Sequence, residues 1–271
     1  MFWAIGMWPA SRLALCLWDT PHQLLSVALG LVLAFRTQTA YQRFWLAREA
    51  WQALVDHTRD FTRRAVTWCG GSDRGRAAAG TLASHVLGVV VATRAHLRAS
   101  RDVDDLEGLL PSRSAEAIRS GGNMPLRASE LLGQCVQAAR NASHLTELQA
   151  LELDGEVRAI LQAVGKCEVI ARTPLPREVS RHSSRFLTLW CWTLPFVLVK
   201  NMGVMSIPAT FLISYALMAI EHIASLIESP FEVYLPLDDM VATLEADLFE
   251  MVTRNGEDGV DGATGTREYL A

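Results

Sequence analysis

No H-E-x-x-H pair, phosphate-cradling P-loop, dinucleotide glycine fingerprint or G-x-S-x-G elbow occurs anywhere in the 271 residues. The five cysteines, Cys16, Cys69, Cys135, Cys167 and Cys191, form no C-x-x-C pair, which argues against a disulfide framework or a structural zinc site. The seven histidines stand singly, so no nucleophile has a base beside it and no metal ligand set is visible. An enzyme, a metal and a cofactor are therefore not expected. Lysine is almost absent, with only Lys166 and Lys200. A net charge of −4 carries no signature of a nucleic-acid partner.

What the chain has in quantity is apolar surface. Half of its residues are hydrophobic and its mean hydropathy is +0.17, high for a protein that must clothe itself in charge. From His22 to Arg64 no proline and only one glycine, Gly30, interrupt 43 residues. As one helix at about 1.5 Å per residue that stretch reaches roughly 64 Å, about twice a hydrocarbon core. It opens apolar, Leu24 to Phe35, and turns at Arg36 into an aromatic-studded run with six arginines against three carboxylates. Asp19-Thr20-Pro21 supplies a helix start, and Cys69-Gly-Gly-Ser-Asp a stop. The expectation is a rod half in lipid and half in water, its short apolar end shielded by other helices. The N-terminus, MFWAIGMWPASRLALCLW, lacks a positive n-region and reads as the tail of a transmembrane segment whose beginning is missing.

Further on, apolar spacing predicts helices over 76–98, 126–141 and 144–172, with a polar loop at 99–127 around a short helix near Ser114–Arg119. Residues 76–98 read as a buried helix rather than a span. Thr173-Pro174-Leu175-Pro176 breaks the ladder. Two apolar runs then follow, Phe186 to Val199 and Met202 to Ile227, with Lys200-Asn201 between them, and read as a transmembrane hairpin. The expected organisation is a membrane region at 1–35, a soluble helical region at 36–172 and a hairpin at 173–228. A C-terminal helical segment at 229–253 and a Gly-rich disordered tail at 254–271 complete it. The fold class is all-α, a membrane-embedded bundle with long helices extending into a soluble helical region.

Glu221 and Glu228 stand seven residues apart and so share a helix face at the end of an apolar run. Carboxylates in such a place face protein, water or a cation. Two readings stand: pairing with arginines of the rod, or lining an ion vestibule. The arginines of the rod read likewise, as a salt-bridged face or as the wall of an anion-concentrating chamber.

Three segments carry a resemblance. FRTQTAYQRFWLAREAW resembles the signature of the bestrophin family, RTPLPREVSRHSSRFLTLWCWTLPF its Thr-Pro-(Ile/Leu)-Pro entry into a membrane stretch, and ESPFEVYLPLDD its Glu-x-Pro-Phe…Leu-Pro-Leu-Asp run. They stand in the family's order across roughly 20–250, and the wording of the second is similar to the plant and algal chloroplast branch. The resemblance implies a homopentameric ion channel in a lipid bilayer, with the thylakoid as the implied membrane. Chloride and other small monovalent anions, bicarbonate among them, are the implied permeant species.

By the same resemblance the pore neck falls on Val27, Leu31 and Phe35, whose i, i+4, i+8 spacing independently puts them on one helix face. The second constriction falls on Leu175. Arg36, Arg43, Glu221 and Glu228 become vestibule candidates. Animal members bind calcium through an acidic cluster after the Pro-Phe pair. Here only Glu232, Asp238 and Asp239 follow it, spread apart, and no calcium clasp is expected. Two alternatives remain: a cation-selective channel of the same fold, as in bacterial relatives, and a non-conducting membrane scaffold.

Overall fold

The computed structural model describes residues 19–100, 104–173 and 177–268, with side chains for 20–100, 104–173, 180–232 and 234–254. Among the described residues there are helices and turns and no strand. The chain divides into two compact units, Met1–Phe44 with Pro174–Glu228, and Trp45–Thr173 with Ser229–Ala271.

The first unit is built from the N-terminal part of α1, which runs Asp19–Cys69, with α7 (Arg177–Met202) and α8 (Ser206–Ile227). Leu29 and Leu33 of α1 pack on Leu187, Trp190, Cys191 and Leu194 of α7, with Phe186, Leu198 and Leu217 closing the cluster. The hairpin turn lies at Gly203–Met205, a 3-10 turn, a few residues beyond the expected Lys200-Asn201. Gly203 takes φ of +54°, a conformation that costs glycine nothing and other residues about 1 kcal/mol or more, and this places the reversal. Pro208 sits in the first turn of α8, where its missing donor is harmless, while Pro195 lies inside α7.

The second unit holds the remainder of α1 with α2 (Asp73–Leu97), α3 (Asp105–Leu109), α4 (Ser112–Arg119), α5 (Met124–Asn141), α6 (Glu147–Arg172) and α9 (Leu237–Glu268). Its core gathers Trp51, Leu54 and Phe61 of α1, Leu82, Val86, Val89 and Val90 of α2, Leu132, Leu153, Ile160 and Leu244, all buried. Helix starts are capped as the sequence permits. Ser72 accepts from the Gly75 amide, Asn123 from that of Leu126, and Thr146 and Gln149 form a reciprocal capping box. A Cβ at Gly75 would overlap the Cys69 carbonyl oxygen, so the tight return from α1 into α2 requires glycine there.

One expectation is corrected here. The polar stretch after α2 contains a further short helix, α3, which Leu106 pins by burial. Helix α9 runs Leu237–Glu268. Thr20–Cys69, Asp73–Leu97 and Ser180–Ile227 are long and apolar enough to cross a membrane. In the second of these, 67% of the apolar window is buried inside the protein, against 22% and 6% in the others, so α2 serves as core.

Candidate functional site

Helix α1 presents two opposed lines in the first unit. Along one, His22, Leu29, Leu33, Arg36 and Ala40 recur at helical spacing and are buried. At 100° per residue, Val27, Leu31 and Phe35 lie about 180° away. They are 73%, 55% and 64% exposed. The usual amphipathic rule is inverted: the inward line carries a histidine and an arginine, and the outward line is purely apolar. Leaving such side chains uncovered forgoes about 1.5–3 kcal/mol each, so the stripe belongs against lipid, another chain or a dewetted passage.

The inward arginine is the centre of a cluster. Arg36 Nη1 donates to Glu221 Oε1 and, at 3.3 Å, to the Ser184 hydroxyl, which itself lies against the same carboxylate oxygen. Arg36 Nη2 stands 3.7 Å from Glu228 Oε2. Ser180 Oγ donates toward both Glu228 oxygens at 3.4 Å, and Arg43 Nε donates to the Glu228 carbonyl at 2.8 Å. The side chains of Arg36 and Glu221 are only 6% and 13% exposed. A carboxylate pair this poorly hydrated must be matched by positive charge, and Arg36 on α1 supplies it to both Glu221 of α8 and Glu228 at its C-terminal end.

At the other end of the apolar stretch, His22 stacks on Trp190 with ring centroids 4.5 Å apart. The two residues also exchange contacts, Trp190 Nε1 donating to the His22 carbonyl and His22 Nε2 meeting the Trp190 carbonyl, each at 3.4 Å. Helix α1 is thus fastened to its neighbours on both sides of Leu29 and Leu33.

The structure brings together Arg36, Arg43, Glu221 and Glu228, which the sequence left with two readings. Arg36 pairs with both carboxylates, and Arg43, half-exposed, reaches the Glu228 backbone carbonyl. Leu175 lies outside the described residues. Asp238 is occupied by Arg98 at 2.8 Å and Arg94 at 3.2 Å, while Glu232 borders a cavity of about 400 Å³ with His96, Glu168 and Arg172. Among the described residues no group of three His, Cys, Asp or Glu side chains could hold a metal ion. Burial pushes the Cys167 thiol up to about 12, which makes it inert. Sequence reasoning does not single out Ser180, Ser184 or the His22–Trp190 clamp. The i, i+4 spacing of the two serines, within the polar first turns of α7, is the available signal.

The chain matches the family model described as Bacterial/Fungal Bestrophin protein over residues 3–250. A voltage-dependent anion channel-forming protein of Nostoc sp. is 32% identical over 234 residues, covering 84% of this chain and 76% of the relative. The voltage-dependent chloride channel 2, chloroplastic, of Arabidopsis thaliana is 30% identical over 89% of this chain, which spans only 56% of that longer protein. A crystal structure of a bacterial bestrophin homolog from Klebsiella pneumoniae superposes with a TM-score of 0.81 at 27% identity, over 86% of this chain and 87% of the other.

Proposed function

The chain belongs to the bacterial/fungal bestrophin family, and from that premise we propose that it is one protomer of a passive anion channel whose neck is ringed by Val27, Leu31 and Phe35. The observation that carries the proposal is the exposed apolar line opposite the anchored face of α1. Five copies around an axis would turn it into three apolar rings, two helical turns from first to last. Such a constriction controls passage by dewetting. The positive edges of the Phe35 rings offset part of an anion's lost hydration. The relatives' names, anion channel-forming protein and chloride channel, support chloride and other small anions, and we extend the proposal to bicarbonate. Leu175 keeps its proposed place at the second constriction. Arg36 and Glu221 pass from vestibule wall to anchor, and Arg43 remains the proposed vestibule charge.

The protein is an integral membrane protein, and α1, α7 and α8 are its proposed spans. The chloroplastic relative supports a thylakoid membrane, and the cyanobacterial relative extends the proposal to bacterial membranes.

One observation favours a second reading within the same fold. With Arg36 matched by Glu221 and Glu228, its charge is not free to attract anions beside the Phe35 ring, and an apolar neck of that kind passes cations as well. Reversal potentials of the reconstituted protein across a potassium chloride gradient decide between the two. A reversal near the chloride equilibrium potential is expected. Reversal near that of potassium establishes the cation channel, and oligomers that pass no current establish the scaffold.

A further inference from the structure

We infer that Glu221 is a positioning residue for the neck, setting the bore at the Phe35 ring through Arg36 and Ser184 without meeting the permeating ion. The inference rests on the pore reading above and assigns to it a control point on a different helix.

Phe35 and Arg36 are neighbours in sequence, joined by one peptide unit, and they serve opposite tasks. Phe35 points out from the protomer at 64% exposure, and Arg36 points in. A helix cannot turn one of these without turning the other. What holds α1 against rotation at this level is therefore what holds Phe35 on its axis-facing line. The apolar contacts of Leu29 and Leu33 fix how close α1 lies to α7, but dispersion and burial are non-directional and tolerate rotation. A guanidinium held between a carboxylate and a hydroxyl does not, because its donors form a rigid fork. Arg36 meets Glu221 and Ser184 at one nitrogen and Glu228 at the other. At the Val27 end, the His22–Trp190 clamp restrains the same helix to α7. The neck thus hangs between two restraints of unequal kind, one aromatic and one ionic.

The ionic restraint is incomplete in itself. Arg36 Nε and Glu221 Oε2 are buried and make no hydrogen bond among the described residues. A buried polar atom left without a partner weakens the arrangement that strands it. The arrangement persists because α1, α7 and α8 together require it, and weakening Glu221 leaves α1 freer to turn. Glu228 is the reserve partner, more distant from Arg36 and engaged by Ser180 and Arg43. Its presence lets the protein fold when Glu221 is neutralised, so the two roles of the cluster, folding and positioning, are separable by experiment.

The test compares the unaltered protein with Glu221→Gln, Glu221→Asp and Ser184→Ala, each reconstituted as the full chain. It reads the permeability of a large ion relative to a small one: gluconate against chloride, or N-methylglucamine against sodium if the channel passes cations. That ratio reports bore and is unmoved by the number of channels that fold. Glu221→Gln is expected to raise it by roughly twofold or more, Ser184→Ala by less, and Glu221→Asp to return it toward the unaltered value. An unchanged ratio in Glu221→Gln, with or without smaller currents, overturns the inference and leaves the pore reading standing. If Glu221→Gln does not assemble, Ser184→Ala decides the matter by the same ratio. Absence of any current in the unaltered protein overturns the pore reading and this inference together.

Discussion

Replacing Leu31 and Phe35 together by alanine is expected to raise ion flux through the reconstituted protein about tenfold while leaving the protomer's stability nearly unchanged. The two halves of that expectation come from the same observation. Both side chains are more than half exposed in the protomer, so truncating them opens no cavity in its core. Alanine is also the better helix former, and nothing in α1 at these positions depends on the longer side chains. In a fivefold neck, however, the substitution removes ten side chains from the narrowest part of the path. The barrier there is the cost of stripping water from an ion among apolar walls. A reduction of about 1.4 kcal/mol suffices for a factor of ten. Core residues behave in the opposite way: Leu29→Ala or Leu33→Ala lowers stability by about 2–5 kcal/mol. Flux assays in liposomes, with thermal melts of the same preparations, separate the two patterns. Unchanged flux with unchanged stability would place the stripe against lipid.

Arg36→Ala is expected to have the largest effect on folding. It strands Glu221 and Glu228 within the packing of α1, α7 and α8, and removing one partner from a buried pair costs about 3–5 kcal/mol. Lysine restores the charge but not the fork that reaches two carboxylates and a serine, so Arg36→Lys should fall between. Because the damage lies in the stranded charge, adding Glu221→Gln to Arg36→Ala should recover part of the loss, a coupling that a double-mutant cycle measures directly. Melting temperatures in detergent for the unaltered protein, the two single variants and the double variant provide that cycle. Additive effects would show that the guanidinium and the Glu221 carboxylate do not depend on each other.

The rotation of α1 explains how far the sequence can be read. Its apolar stretch carries two candidate lines, one through Leu29 and Leu33 and one through Val27, Leu31 and Phe35, and hydrophobicity alone cannot rank them. The deciding marks are polar: His22 and Arg36 fall on the Leu29 line, and in a membrane helix the polar side chains seek protein. The shared face of Glu221 and Glu228 is legible from their spacing. Their partner is not, since six arginines of the rod are available and the choice depends on how α1 lies against α8. The two apolar runs on either side of Lys200-Asn201 announce the hairpin, and Pro174 and Pro176 announce the end of α6 at Arg172, because prolines act through local backbone geometry. Helix α3 is invisible in the sequence because five residues have no period to detect, and its burial at Leu106 is a tertiary event. The serines of α7 carry little signal because a hydroxyl on a helix is ordinarily satisfied by its own backbone, as Ser184 is in part by the Ser180 carbonyl at 3.0 Å.

The central claim, that the outward line of α1 faces a water-accessible ion path, is tested most directly by placing a cysteine at Leu31. Current through reconstituted Leu31→Cys is recorded before and after a membrane-impermeant, negatively charged methanethiosulfonate reagent, with the unaltered protein and its native cysteines as the control. The account predicts rapid and irreversible loss of current in Leu31→Cys and none in the control, because five charged adducts would meet within one apolar ring. Steady current from Leu31→Cys channels whose thiols have been labelled would contradict it, and would turn Val27, Leu31 and Phe35 toward lipid.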